Sequence, residues 1–163
     1  SVHAEDEEII RLKKRISLDP SVHSEIRCRT AAEKAVKLAI ELSAKYQVRL
    51  CILHVSTKEE LELIRQAKAS GVPVFAEVSP HHLLLSKDDY ARWGTLVQVN
   101  PPLREQSDNQ SLWEGIRDGT VDFIGTDHAP HTLEEKQQPY GQAPSGIPSI
   151  ELLLPLMLHA VHE

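Results

Sequence analysis

Metal-competent and proton-competent side chains recur in one kind of place along this chain, just after an apolar, strand-like run. His3 follows the opening "SV", His54 ends "VRLCILHV", and Glu77, His81 and His82 lie at and beyond the end of "VPVFAEV". Asn100 ends "TLVQVN", and Asp127, His128 and His131 follow "TVDFI" within "GTDHAPHTLEEK". Neutral imidazole and carboxylate are ligands of zinc and similar divalent ions, and a catalytic site keeps one coordination position open for water. A metal lowers the pKa of that water toward neutrality, and a neighbouring carboxylate can take its proton and hand it to a leaving nitrogen. The chemistry that suits this set is hydrolysis of an amide-like bond without a covalent intermediate. A Michaelis-type lyase or a plain binding site would draw on the same residues.

Each residue also has a purely structural role open to it. His54 could be a buried histidine hydrogen-bonded at a strand end, and Asp127 could cap a following helix, as Asp often does. His81 and His82 are neighbours and point to different sides, so one at most should face a site. Glu134, Glu135 and Lys136 read as a solvated first helical turn. His159, His162 and the "EDEE" run read as surface.

The elements that carry these residues alternate. A charged helix is expected over about 4–15. A helix is also expected from Thr30 to Tyr46, where Ala32, Val36, Ala39 and Leu42 form one stripe and Thr30 with Glu33 forms a capping box. "VRLCILHV" reads as a strand covered on both faces. It is followed by a helix over "STKEELELIRQAKASG", capped by Ser56 with Glu59 or Thr57 with Glu60 and stopped at Gly71. The cycle then repeats as strand "VPVFAEV", helix "SKDDYARW", strand "TLVQVN", helix "SDNQSLWEGIRDG" and strand "TVDFIGT". A last amphipathic helix holds Pro155 early, where it should kink or restart the helix. Strands alternating with helices imply a parallel sheet, whose ligands bind beyond the carboxyl ends of the strands.

Bulk properties set the remaining bounds. A length of 163 residues fits one domain or part of a larger one. With 18 Lys and Arg against 24 Asp and Glu, the formal charge of -6 argues against a nucleic-acid or anionic-lipid surface. The two cysteines, Cys28 and Cys51, match no zinc or redox spacing, so free thiols in a reducing cytoplasm are expected. No run of 18 apolar residues, signal peptide or lipidation motif is found.

At this point a resemblance enters. "GTDHAPHTLEEK" is similar to the second signature of dihydroorotases: a small residue, Ser or Thr, Asp, any residue, Ala-Pro-His, four residues, then Lys. "VHAEDEEII", "HSEIR", "RLCILHVSTKEE", "AEVSPHHLLLS" and "VNPPLR" also resemble, in order, the class I dihydroorotases of the amidohydrolase superfamily. Dihydropyrimidinases and hydantoinases tend to have Gln-Tyr in place of His81-His82, and allantoinases His-Tyr. Neither usually keeps Ala129-Pro130-His131.

The resemblance implies a (β/α)8 TIM-type barrel with one or two zinc ions at its C-terminal face, of which residues 1–163 would form the second half, about strands 5–8. It implies His3 and His54 as metal ligands, and Asp127 as metal ligand and catalytic general base and acid. It implies substrate binding by Asn100, His131 and the backbone of Ser145 and Gly146, with Ser145 a departure from many relatives. Glu77 and His82 are family-typical without a settled role. The His-X-His pair, the bridging carboxylated lysine or aspartate and a substrate-binding arginine would belong to the other half. A half barrel should therefore be inactive alone and prone to self-association through its open edges and apolar inner face.

The implied substrates are dihydroorotate and N-carbamoyl-L-aspartate, in pyrimidine biosynthesis. Implied partners are a second copy and aspartate carbamoyltransferase. Two other readings stay open: a cyclic amidohydrolase for allantoin or hydantoins, and a silent dihydroorotase-like assembly domain.

Overall fold

The computed structural model describes residues 1–15 and 17–162. Three parallel strands lie side by side in chain order: β1 (Leu50–Ile52), β2 (Val74–Val78) and β3 (Phe123–Ile124). Val2 adds a parallel bridge to Ile52 on the other edge of β1. This order never reverses, as in a sheet winding one way into a barrel. A doubly wound sheet switches direction at its first strands. The strands are shorter than their apolar runs, but the pairing continues past their ends, with Val55 N–H donating to Glu77 O at 2.8 Å and Gly125 N–H to Val78 O at 2.9 Å.

One face of the sheet is closed. Leu50, Ile52, Val74, Ala76 and Val78 are buried in a single core with Val36, Leu61, Ile64 and Leu112 from the helices Arg29–Tyr46, Lys58–Ala69 and Gln106–Arg117. Leu61, Ile64 and Leu112 are fully buried, so truncating any one to alanine removes about 2–5 kcal/mol. Gly115 lets two of these helices meet, since a Cβ there would lie 2.8 Å from a Leu61 methyl. On the other face Cys51, Phe75 and Glu77 are only half-buried. Coverage of both faces, expected for "VRLCILHV", is therefore found on one face only among the described residues.

Local signals decided the helix ends in some places and not in others. The Thr57–Glu60 capping box forms as expected, and Gly71 follows that helix at φ 78°. The expected Thr30–Glu33 box does not form, because the helix already starts at Arg29 with Cys28 as its cap, which puts Thr30 inside the first turn. The charged helix shortens to Glu7–Lys13, with Asp6 accepting from Ile9 N–H at 2.9 Å. Pro155 falls in the first turn of Leu153–His162, where its missing N–H has no intrahelical partner to lose.

"TLVQVN" is not a strand. Gly94–Val97 is a 3-10 turn, and Val97, Gln98 and Val99 are buried consecutively rather than alternately. Val97 and Val99 pack with Tyr90 and Leu103 in a separate cluster. The carbonyls of this segment are taken by side chains and a loop instead of a ladder: Gln98 O accepts from Gly146 N–H and Lys136 Nζ, and Val99 O from His23.

Candidate active site

Val2 bridges in parallel to Ile52 at the end of β1, so the residues that follow them meet. His3 Nδ1 lies 3.0 Å from His54 Nε2, with the rings edge to face at 4.8 Å. His3 Nε2 is 2.9 Å from the buried carboxylate of Glu5, so its proton sits there and Nδ1 keeps its lone pair. Burial works to raise the Glu5 carboxyl, but the hydrogen bonds from His3 and Arg27 outweigh it and hold it below the usual carboxylate value. Arg27 grips the same oxygen through Nε at 2.9 Å and a terminal nitrogen at 2.5 Å. Reading the "EDEE" run as surface thus fails at Glu5. The signal was available, since a carboxylate two residues after a strand-end histidine can turn back onto its ring.

Asp127 follows β3 and caps no helix; the next one, Leu133–Lys136, is capped by Thr132. Its carboxylate is 28% exposed and stands 3.8 Å from His81 Nε2, longer than a hydrogen bond. Burial lowers the His81 pKa to about 4, and neither ring nitrogen has a hydrogen-bond partner among the described residues. His82 turns away, with Nε2 3.0 Å from Pro101 O. The neighbouring histidines do diverge. Glu77 approaches Gly125 so closely that a Cβ there would lie 2.3 Å from its carboxyl carbon. Burial raises the Glu77 carboxyl, and the charge of Asp127 adds to it.

Backbone strain marks the same two strand ends. His54 has φ 36° and Asp127 φ 47°, left-handed values that cost a non-glycine residue on the order of 1 kcal/mol each. Burial also lowers the His54 pKa, favouring the neutral imidazole that a cation requires, and its Nδ1 is buried without a partner. Two imidazole nitrogens sharing a tetrahedral zinc would stand roughly 3.3 Å apart. The His3–His54 pair at 3.0 Å nearly meets that spacing, so these donors fit a cation. They are a pair, not a shell. Among the described residues no three His, Cys, Asp or Glu side chains are gathered closely enough to hold an ion.

The remaining expected residues form a second group. Gly146 packs against the Ala129–His131 segment, where a Cβ would sit 2.4 Å from Ala129 O and 3.2 Å from the His131 ring. Gln98 ties the loop down: its side-chain amide donates to Ser145 Oγ at 2.9 Å and Ala143 O at 3.1 Å, and its carbonyl accepts from Gly146 N–H at 2.9 Å. Asn100, two residues on, joins His23 at 2.8 Å. His131 is exposed, with Glu135 3.7 Å away.

Lys136 was expected in solvent and is 5% exposed. Its Nζ donates to Gln98 O and Pro144 O, both at 2.9 Å, and burial lowers its pKa to about 8. Glu134 and Glu135 are exposed as expected. A one-turn helix points its last residue back under the loop it precedes, which no periodicity over four residues could reveal. A cavity of about 950 Å³ lies between Arg11 and Lys14 on one wall and His23 and Tyr140 on another. It includes none of His3, His54 and Asp127.

Comparison with protein-family profiles gives no match. Among characterised proteins, the chain is 40% identical over 172 aligned positions to a dihydroorotase of Methanosarcina acetivorans, covering 100% of this chain and 37% of that protein. It is 54% identical over 106 residues to a dihydroorotase of Bacillus licheniformis, 65% of this chain and 25% of that one. Among solved structures it superposes on the L-hydantoinase (dihydropyrimidinase) of Arthrobacter aurescens with a TM-score of 0.92 at 33% identity, over 96% of this chain and 37% of the other. On the D-hydantoinase (dihydropyrimidinase) of Thermus sp. the TM-score is 0.90 at 27% identity, over 98% and 38%. The chain thus spans little more than a third of relatives that it matches along its whole length. Its sequence and its one-way parallel sheet together make it a member of the dihydroorotase family, corresponding to part of an amidohydrolase barrel.

Proposed function

We propose that the whole protein to which these residues belong is a zinc-dependent dihydroorotase, interconverting dihydroorotate and N-carbamoyl-L-aspartate in the cytoplasm for pyrimidine synthesis. The observation that carries the reading is the convergence of His3 Nδ1 and His54 Nε2 at adjacent strand ends, with Glu5 fixing the His3 tautomer. In this reading residues 1–163 are the second half of the barrel, and a His-X-His pair and a bridging carboxylate or carboxylated lysine come from the first.

His3 and His54 would hold the metal from one side, with Asp127 as a further ligand. When bound, zinc polarises the ring carbonyl and acidifies a water. Asp127 takes the proton of the attacking water and returns it to the ring nitrogen as the C–N bond breaks. Its partial exposure leaves that carboxylate open to substrate. Asn100, His131 and the Ser145–Gly146 backbone would hold the ring and its carboxylate. Homo-oligomerisation and association with aspartate carbamoyltransferase belong to the same proposal.

The hydantoinase-like superpositions favour a second reading, a cyclic amidohydrolase for hydantoins. The His81-His82 pair and Ala129-Pro130-His131 argue for dihydroorotate, as does the name shared by the curated relatives. The test is ring opening of dihydroorotate, hydantoin and allantoin with added zinc, by these 163 residues alone and by a full-length protein containing them. The full-length protein should prefer dihydroorotate, the 163 residues alone should be silent, and Asp127→Ala should cost about 10³-fold in kcat. Preference for hydantoin would overturn the assignment. Turnover without any loss in Asp127→Ala would remove its catalytic role.

A further inference from the structure

We infer that His23 is a positioning residue that fixes the amide of Asn100 so that its N–H₂ group, and not its oxygen, faces the substrate. This deepens the dihydroorotase reading and rests on it.

The direction of every hydrogen bond in the group follows from one carbonyl. His23 is buried, and its Nε2 lies 3.1 Å from Val99 O, which can only accept. Nε2 therefore carries the proton. The Asn100 atom 2.8 Å from the same nitrogen must then also be an acceptor, which makes it Oδ1. With Nε2 protonated, Nδ1 of the neutral ring is an acceptor, and Tyr140 sits 3.0 Å from it to donate its O–H. The chain of donation runs from Tyr140 to His23 to Asn100. It leaves both Asn100 amide hydrogens uncommitted, since Nδ2 makes no hydrogen bond to another described residue. Burial lowers the His23 pKa to about 4, so the ring stays neutral and the relay keeps its direction at neutral pH.

A donor at Asn100 suits an oxygen acceptor, either a ring carbonyl or a carboxylate. An inverted amide would set Oδ1 against that oxygen and repel it. The group stands beside the loop that carries Ser145 and Gly146, because Tyr140 begins that loop and Gln98 pins its far end. Nothing in the sequence pairs His23 with Asn100, which lie 77 residues apart.

The experiment uses a full-length protein carrying these residues and compares His23→Ala, His23→Gln, Asn100→Ala and the His23→Ala/Asn100→Ala double variant, each checked for folding by thermal melting. His23→Ala should raise KM for dihydroorotate about tenfold with kcat much less affected, and His23→Gln, which restores a donor toward Oδ1, should recover most of it. The double variant should be no worse than Asn100→Ala alone, because one effect acts through the other. Additive losses, or a KM unmoved in a folded His23→Ala, would overturn the positioning role. If His23→Ala melts too low to assay, the His23→Gln and Asn100→Ala pair decides, and a KM for His23→Gln as high as that of Asn100→Ala sinks the inference. A KM unchanged in Asn100→Ala would instead refute substrate contact by Asn100. No dihydroorotate turnover by the unaltered protein would refute the function itself.

Discussion

Two polar regions lie close together in the chain, and they treat hydrogen bonds in opposite ways. In the first, at the starts of two helices, the Asp108 carboxylate is fully buried and fully used: it accepts from Arg29, Lys58 N–H at 3.0 Å and Glu105 N–H at 3.0 Å. Glu60 is similar, taking both N–H and O–H from Ser56 and Thr57. In the second, at the strand ends, His54 Nδ1, His82 Nδ1, Ser79 Oγ and both nitrogens of His81 are buried with no partner among the described residues. A buried polar group without a protein partner costs about 1–3 kcal/mol unless water or a ligand meets it, so a cluster of them marks a place where one of these is expected. The saturated region holds the fold together. The unsaturated one is held ready, and its two left-handed residues, His54 and Asp127, add strain to the same place.

The sharpest way to break this contrast is at Asp108. Asp108→Ala strands Arg29 and two backbone N–H groups, and should lower unfolding free energy in a full-length protein by about 3 kcal/mol by chemical denaturation, with kcat of the folded fraction nearly intact. A loss of kcat with full stability would erase the distinction. Next in size is pH. The folded His23 pKa of about 4 lies below its unfolded value near 6.5, so the unfolded state binds more protons between them, and stability falls as pH drops through that window. The His23 share of the slope should reach about 1.4 kcal/mol per pH unit and be missing in His23→Gln, while the shares of His81 and His82, whose pKa values burial also lowers, remain.

Lys136→Met should cost about 1–2 kcal/mol by loss of two hydrogen bonds and speed proteolytic cleavage in the Pro139–Gly146 loop. An unchanged cleavage rate would show that the Gln98 contacts suffice. Smallest, and opposite in sign, His81→Leu should stabilise the fold by about 1 kcal/mol, because it removes two unpaired nitrogens from a buried site. A destabilised His81→Leu would mean that its ring is structural after all.

Much of this was legible because it is periodic or local. The helix Arg29–Tyr46 shows in its apolar stripe, and Lys58–Ala69 in the three-residue spacing of its Thr57–Glu60 box and the Gly71 stop. The strand "VPVFAEV" reads correctly for the same reason. Apart from the Thr30–Glu33 box, which a helix start at Arg29 removes, the larger failures share a cause. "TLVQVN" has strand composition, yet its carbonyls bond Lys136, His23 and Gly146, which come from distant parts of the chain. Glu5 and Lys136 look like surface charges because a short window holds no information about Arg27 or Gln98.

The sequence by itself determined which residues could do chemistry and that His54 and Asp127 would follow strands of a parallel sheet, since alternation of strand and helix runs those strands the same way. Only the tertiary structure decided how they work together. It brought His3 onto His54 from 51 residues away, set the His3 Nε2–H on the Glu5 carboxylate and turned the Asn100 amide through His23. Each of those outcomes depends on a hydrogen bond between groups remote in sequence, whose direction is set by the partner's chemistry and whose existence is set by how the parallel strands align.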